Sequence, residues 1–170
     1  MFPVKCKNIL PVDHVLITSL AIRGDLGLIT VWVTKDDIDG KFHMDPHSSA
    51  SQNRAMSMRQ IDMKKSQWVQ IYRKEHAPSR NVYTHLDLSD APIRINPDRI
   101  RGIYIHSELD GDTAIVYDNK REEIKRYEDS FLTIFSGRAH VCTDPFGRIP
   151  IWGMGNAWRD NREFVVRCRT

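Results

Sequence analysis

Short apolar runs recur along the chain, and none of them repeats at the 3.6-residue spacing of a long helix. The runs are rich in β-branched and aromatic residues, and Gly, Pro, Asp and Asn separate them, as is typical of strands and turns. The pattern predicts about ten strands, over residues 14–23, 26–34, 66–74, 82–88, 92–95, 100–107, 113–118, 130–135, 138–142 and 163–169. We therefore expect an all-β chain, folded as a jelly-roll-like antiparallel β-sandwich in which residues 1–170 form a single domain; a barrel stays open as an alternative.

Two stretches interrupt the strand pattern. Residues 35–65 combine Ser, His, Asp and Lys with four methionines and show no strand period, so they predict one long irregular loop of a length that is usually functional or mobile. Residues 143–162 hold two tryptophans, one phenylalanine and three arginines among Gly and Pro. This composition predicts a loop that either packs against the sandwich or binds a ligand.

The clearest turn signal is the pair Asp110–Gly111, because Asp-Gly suits the positive φ angles of a type I′ hairpin turn. The predicted hairpin pairs Ile105 with Val116 and directs Ile103 and Ile105 towards the core. A second hairpin turn is predicted at the RGD tripeptide of residues 23–25. The opposite face of the first hairpin would be aromatic, and either a loop covers it or it lines a binding surface; that face carries Tyr104, His106, Ile115 and Tyr117.

Composition argues against several classes of partner and location. The net charge is only +3, with both signs scattered along the chain, whereas nucleic-acid binders usually cluster basic residues. The segment Arg101–Ile105 begins like an RNP1 motif but has isoleucines where bases would stack. The apolar run VLITSLAI is far shorter than the roughly 20 residues of a membrane span. We expect a soluble intracellular protein that binds neither nucleic acid nor membrane.

The three cysteines lie far apart and form no CxxC pair, which argues against a zinc finger or a redox motif. Free thiols in a reducing compartment fit this spacing best. A disulfide between Cys142 and Cys168 stays open, because strands that are distant in sequence can be neighbours in a sheet.

The sequence contains only weak signals for a metal or a catalytic centre. His43, Asp45 and His47 alternate in a Pro-containing loop and could ligate a divalent metal, although no fourth ligand is nearby. Nucleophile-elbow, P-loop and Rossmann motifs are all missing, so we expect no cofactor. An enzyme whose site is assembled in space stays an alternative, and its first candidate residues are His106, His140, Cys142, Asp144 and Glu163.

The segment AWRDNREF, residues 157–164, carries the strongest recognition signal. Trp158 offers a broad stacking surface, and Arg159 and Arg162 offer planar donors of the kind enriched at binding hot spots. Packing at the end of the sandwich is the alternative. Trp152 carries the same ambiguity, and a pair of tryptophans could also stack on a sugar ring.

Two segments, ITSLAIRGDLGLITVWV at 17–33 and APIRINPDRIRGIYIHS at 91–107, resemble the PHR domain of Pam and Highwire ubiquitin ligases and BTB adaptors. The resemblance implies a β-sandwich that binds protein partners without chemistry of its own. We therefore predict a non-catalytic binding module for protein–protein recognition, with a carbohydrate or small-ligand binder as one alternative. Its predicted binding residues are Trp152, Trp158, Arg159, Arg162, Tyr104, His106 and Tyr117.

Overall fold

The computed structural model describes residues 1–39, 63–118, 127–147, 158–164 and 167–169. These residues form antiparallel strands and one short 3₁₀ turn, Lys65–Gln67, and the predicted all-β sandwich is confirmed. None of them belongs to a helix long and apolar enough to cross a membrane. The strands are β1 (Phe2–Cys6), β2 (Val15–Ile17), β3 (Ser19–Gly24), β4 (Gly27–Thr34), β5 (Ile38–Asp39), β6 (Trp68–His76), β7 (Ser79–Asp87), β8 (Ile93–Ile95), β9 (Arg99–Ser107), β10 (Tyr117–Asp118), β11 (Tyr127–Glu128), β12 (Leu132–Ile134), β13 (Gly137–His140), β14 (Trp158–Phe164) and β15 (Arg167–Arg169).

The largest sheet has seven strands in the order β11-β12-β1-β9-β4-β6, with β5 also paired to β9. Strand β9 is central, because β1 pairs with it on one side, at Phe2↔Ile103, and β4 on the other, at Val31↔Ile105. Strand β1 was not predicted, because its short run FPVKC includes a proline and a lysine. We call this sheet the first sheet.

The second layer consists of β15-β3-β7 and β2-β8. Alternate residues of both layers point between them and form the main core, as the two-residue period predicts. The first sheet contributes residues such as Ile29, Val31 and Ile103, and the second layer contributes Leu20 and Leu86, all with 0 % exposure. The sandwich is therefore held by one continuous apolar core.

The predicted hairpin at 23–25 is wrong. Strand β3 pairs with β7 and β15, whereas β4 pairs with β6 and β9, so the chain crosses from the second layer to the first sheet at this turn. Leu26 and Gly27 adopt φ values of 58° and 66° at the crossover. The Gly24-Asp25 pair correctly indicated a sharp change of chain direction. A turn sequence does not, however, specify whether the two strands that it joins pair with each other.

The hairpin predicted at Asp110–Gly111 is also wrong, although Gly111 does have a positive φ of 97°. Residues 103–107 of β9 pair with β4, and residues 113–116 pair with neither edge of β9. These residues lie instead along the crossover, where Leu26 N–H donates to the Ala114 carbonyl and Val116 N–H donates to the Arg23 carbonyl. Ile105 is buried as predicted, but its strand partner is Val31 rather than Val116.

A small third sheet, β10-β14-β13, covers the other face of the first sheet. Residues 158–162, expected in a loop, belong to strand β14, and the described residues 143–147 form a turn. An aromatic cluster joins the two sheets, with Trp32, Trp68 and Tyr104 from the first sheet and Phe146 and Trp158 from the covering layer. The centre of the first sheet, at β4 and β9, is therefore buried on both faces.

Candidate functional site

The structure brings together five of the residues that the sequence selected for binding. Tyr104 and His106 lie on β9, Tyr117 begins β10, and Trp158 and Arg159 begin β14. All five lie at the junction of the first sheet with the third sheet. Arg162 is buried farther along β14, and Trp152, His43, Asp45 and His47 lie outside the described residues.

Tyr104 is the centre of the aromatic cluster and is fully buried. Its ring centroid lies 5.3 Å from that of Trp158 and 5.6 Å from that of Phe146, and its hydroxyl donates to the Pro145 carbonyl at 2.6 Å. Burial raises the pKa of this hydroxyl. The face of Tyr104 and His106 is therefore covered by the 142–147 turn and β14.

Two histidines fix this turn from opposite sides. His106 Nε2 lies 2.9 Å from the Cys142 carbonyl oxygen, and His140 Nε2 lies 3.1 Å from the Gly147 carbonyl oxygen. A carbonyl only accepts, so each Nε2 carries the proton and each neutral ring has an unprotonated Nδ1. Both Nδ1 atoms are buried without a hydrogen-bond partner.

Burial keeps both imidazoles neutral. It lowers the pKa of His106 and lowers that of His140 to about 4, because the charged form loses its hydration. Their ring centroids are 5.8 Å apart, and the His140 ring lies 4.4 Å from that of Trp158. Two imidazoles and a tryptophan thus form one packed group between β9, β13 and β14.

A cleft of about 40 Å³ opens beside the histidines, between the end of β9, the 109–117 segment and β13. This volume holds roughly two or three water molecules, or the end of one side chain. Its polar lining includes His106, Ser107, Asp112, Tyr117, His140 and Cys142.

A pair of charged side chains lies beside the cleft. Arg159 Nη1 donates to Asp112 Oδ2 at 2.6 Å, and the Tyr117 hydroxyl donates to Asp112 Oδ1 at 3.2 Å. The hydrogen bond to Asp112 raises the pKa of Arg159. We call Asp112, Tyr117 and Arg159 the cleft rim; it presents an aromatic ring, a carboxylate and a guanidinium in fixed relative positions.

Four first candidates for an enzyme, His106, His140, Cys142 and Asp144, lie beside the cleft or in the adjoining turn, whereas the side chain of Glu163 lies outside the described part of the chain. His106, His140 and Cys142 all line the cleft, yet both Nε2 atoms donate to carbonyls and neither Nδ1 has a partner. No imidazole nitrogen is therefore hydrogen-bonded to the Cys142 thiol, the contact by which a base activates a cysteine. The Asp144 carboxylate accepts from Phe146 N–H within its own turn.

Metal binding finds no support in the part of the chain that the structure describes, because no group of three or more His, Cys, Asp or Glu side chains there could hold an ion. Cys142 is a free thiol, as is the buried Cys6.

Two residues that contribute to this site were not among the predicted site residues. Phe146 packs edge-on against Trp32 with ring centroids 5.2 Å apart, and Asp112 orients two rim residues. The signal for Phe146 was the Asp144-Pro-Phe-Gly run, typical of an Asx turn that presents an aromatic residue. No local signal identified Asp112, since its charged partner Arg159 lies 47 residues away in sequence.

Comparisons of the chain with family models, curated proteins and solved structures gave no match.

Proposed function

We propose that the chain is a non-catalytic binding module that recognises another protein through the cleft rim. The observation that carries this proposal is the convergence of Arg159, Tyr117 and Asp112 beside one cleft. Tyr and Arg are the residue types enriched at binding hot spots. Because Asp112 already orients both of them, little side-chain entropy is lost when a partner binds.

The size of the cleft favours a protein partner over a sugar or a small ligand. Small-molecule sites usually enclose roughly 300–1,000 Å³, whereas this cleft measures about 40 Å³. It suits the end of a single side chain inserted from a larger surface. Trp158, which could have stacked on a sugar ring, packs against Tyr104 and His140 instead.

The hydrogen bonding of the histidines supports a role without chemistry. Both rings use their Nε2–H groups to position the 142–147 turn, so they serve packing rather than proton transfer. The resemblance of residues 17–33 and 91–107 to PHR domains implies the same class of function.

Site-specific photocrosslinking tests the proposal. We expect Tyr117 replaced by p-benzoylphenylalanine to give discrete protein adducts in a cell lysate, because the crosslinker then lies on the cleft rim. Tyr127, which is 59 % exposed on β11, is the matched control with the same replacement. Arg159→Glu added to the Tyr117 variant should abolish the adducts, since it reverses the rim charge while an exposed ion pair contributes only about 0–1 kcal/mol to folding.

Three outcomes would contradict protein recognition at the rim: no adduct from position 117, the same adducts from position 127, or adducts that survive Arg159→Glu. Binding to a glycan array that is lost in Arg159→Glu would favour the carbohydrate alternative.

A further inference from the structure

We propose that His106 and His140 form a pH-sensitive switch that holds the third sheet on the first sheet when neutral and releases it when protonated. The two rings come from different layers, His106 from β9 in the first sheet and His140 from β13 in the third sheet. Their Nε2 atoms hydrogen-bond the two ends of the same turn, at Cys142 and Gly147. The inference is independent of what binds the cleft.

The turn held by these two bonds is what closes the aromatic cluster. It carries Phe146, whose ring contacts Trp32, and Pro145, whose carbonyl accepts the Tyr104 hydroxyl. His140 also contacts Trp158 on β14. A change at the two imidazoles therefore acts on the turn, on β13 and on β14 together.

Protonation adds an Nδ1–H donor to each ring, and this donor requires an acceptor. Each Nδ1 is buried without a partner, and His106 as a whole is 3 % exposed. A buried N–H without a partner loses its hydration with no replacement, and two imidazolium rings would repel each other at a centroid distance of 5.8 Å. Water can reach the Nδ1 atoms if the third sheet separates from the first.

The surrounding groups make protonation of the two histidines less unfavourable, but burial still outweighs them. The Cys142 carbonyl, Glu108 and Asp144 favour protonation of His106, and the Gly147 and Cys142 carbonyls favour protonation of His140. The amino group of Met1 opposes it for both rings, and His106 opposes it for His140. Burial is the largest influence and lowers both pKa values. Other titratable or charged groups on the elements packed here include Arg99, Arg101 and Tyr104 on β9, Asp112, Tyr117 on β10, Arg138 on β13, Cys142, and Arg159 and Arg162 on β14.

The direction of the pH dependence follows from the lowered pKa values. In the closed state, with the third sheet packed on the first, His140 has a pKa of about 4. In an opened state, with the third sheet released, the exposed imidazole has an ordinary pKa of about 6.5. Acid therefore favours the opened state between these values. For His140 alone, the opened population should rise about 30-fold from pH 7.5 to pH 5, and His106 adds to this.

Hydrogen exchange followed by mass spectrometry, corrected for the intrinsic pH dependence of exchange, tests the switch. We expect protection in β13 and β14 to fall about 30-fold or more between pH 7.5 and pH 5, while protection in β3 is retained. His140→Gln keeps a donor for the Gly147 carbonyl but cannot be protonated, and should reduce the fall at least threefold. His85→Gln, at an exposed position on β7, is the control and should behave as wild type.

Equal loss of protection in β3, or an undiminished loss in β13 and β14 of His140→Gln, would overturn the proposal. Should that variant not fold, His140→Phe is the second variant, because it keeps an aromatic ring that cannot be protonated. An NMR titration of the wild-type imidazoles tests the switch independently of any variant. A pKa near 6.5 for His140 contradicts the switch, and a pKa below about 5 supports it.

Discussion

Gly24 shows how a single residue permits the crossover between the two layers. Its φ is 150°, and a Cβ atom at this position would clash with the backbone carbonyl of Ala114. Gly111 also has a positive φ, but a Cβ there would meet open space. A side chain at Gly111 would therefore cost only backbone strain, whereas a side chain at Gly24 would cost both backbone strain and a steric clash.

We predict that Gly24→Ala lowers the free energy of unfolding by about 2–4 kcal/mol, because backbone strain and a backbone clash add. Gly111→Ala, the matched control, should cost only about 1 kcal/mol for its φ. Urea denaturation of both variants measures the difference. Equal costs would mean that Ala114 does not pack against Gly24 in solution.

At the scale of the elements, the carboxylate of Asp25 in the crossover hydrogen-bonds side chains of two other segments. Asp25 accepts two hydrogen bonds from Arg80 on β7, at 2.6 and 2.8 Å, and one from the Thr113 hydroxyl at 2.6 Å. The hydrogen bonds from Arg80 and Thr113 lower the pKa of Asp25 to about 2. This network is charge-assisted and bidentate, which gives it a defined geometry.

We predict that Asp25→Asn makes the free energy of unfolding depend less on pH under acidic conditions. Because the folded pKa is about 2 and the unfolded value is about 3.9, the wild-type pairing is complete above pH 4 and is lost as the pH falls towards 2. The variant should be less stable at pH 6 and should approach the wild type at pH 2, as measured by urea midpoints. Arg80→Gln should give a smaller flattening of this pH dependence, because the Thr113 hydrogen bond to Asp25 remains. A wild-type acid slope in either variant contradicts the assignment.

The location of most strands could be predicted from sequence, but their partners could not. The β-branched and aromatic runs LGLITVWVT and RIRGIYIHS identified β4 and β9, since such residues are enriched in strands. Pairing depends on which edges are free, and β9 is enclosed by β1 and β4. β14 was predicted as a loop up to residue 162 because WRDNREF is polar and lacks a clear alternation.

At the scale of the whole molecule, the same distinction explains how far the candidate site could be predicted. Residue types alone selected Tyr104, His106, Tyr117, Trp158 and Arg159, which meet at one junction. Their division into a buried group and an exposed rim depends on the third sheet, whose strands are separated by many residues in sequence. No local pattern reveals that the first sheet is covered on both faces.

The second layer and the third sheet, which pack on opposite faces of the first sheet, should respond differently to mutations in the main core. Leu86 on β7 is fully buried in the core between the first sheet and the second layer, whereas Val82 on the same strand is 69 % exposed. Leu86→Ala should therefore lower the free energy of global unfolding by about 2–5 kcal/mol, and Val82→Ala by less than about 0.5 kcal/mol. Since the third sheet packs on the opposite face, Leu86→Ala should leave exchange in β13 unchanged at pH 5 while accelerating it in β3. Equal acceleration in both strands would show instead that the three layers open as one cooperative unit.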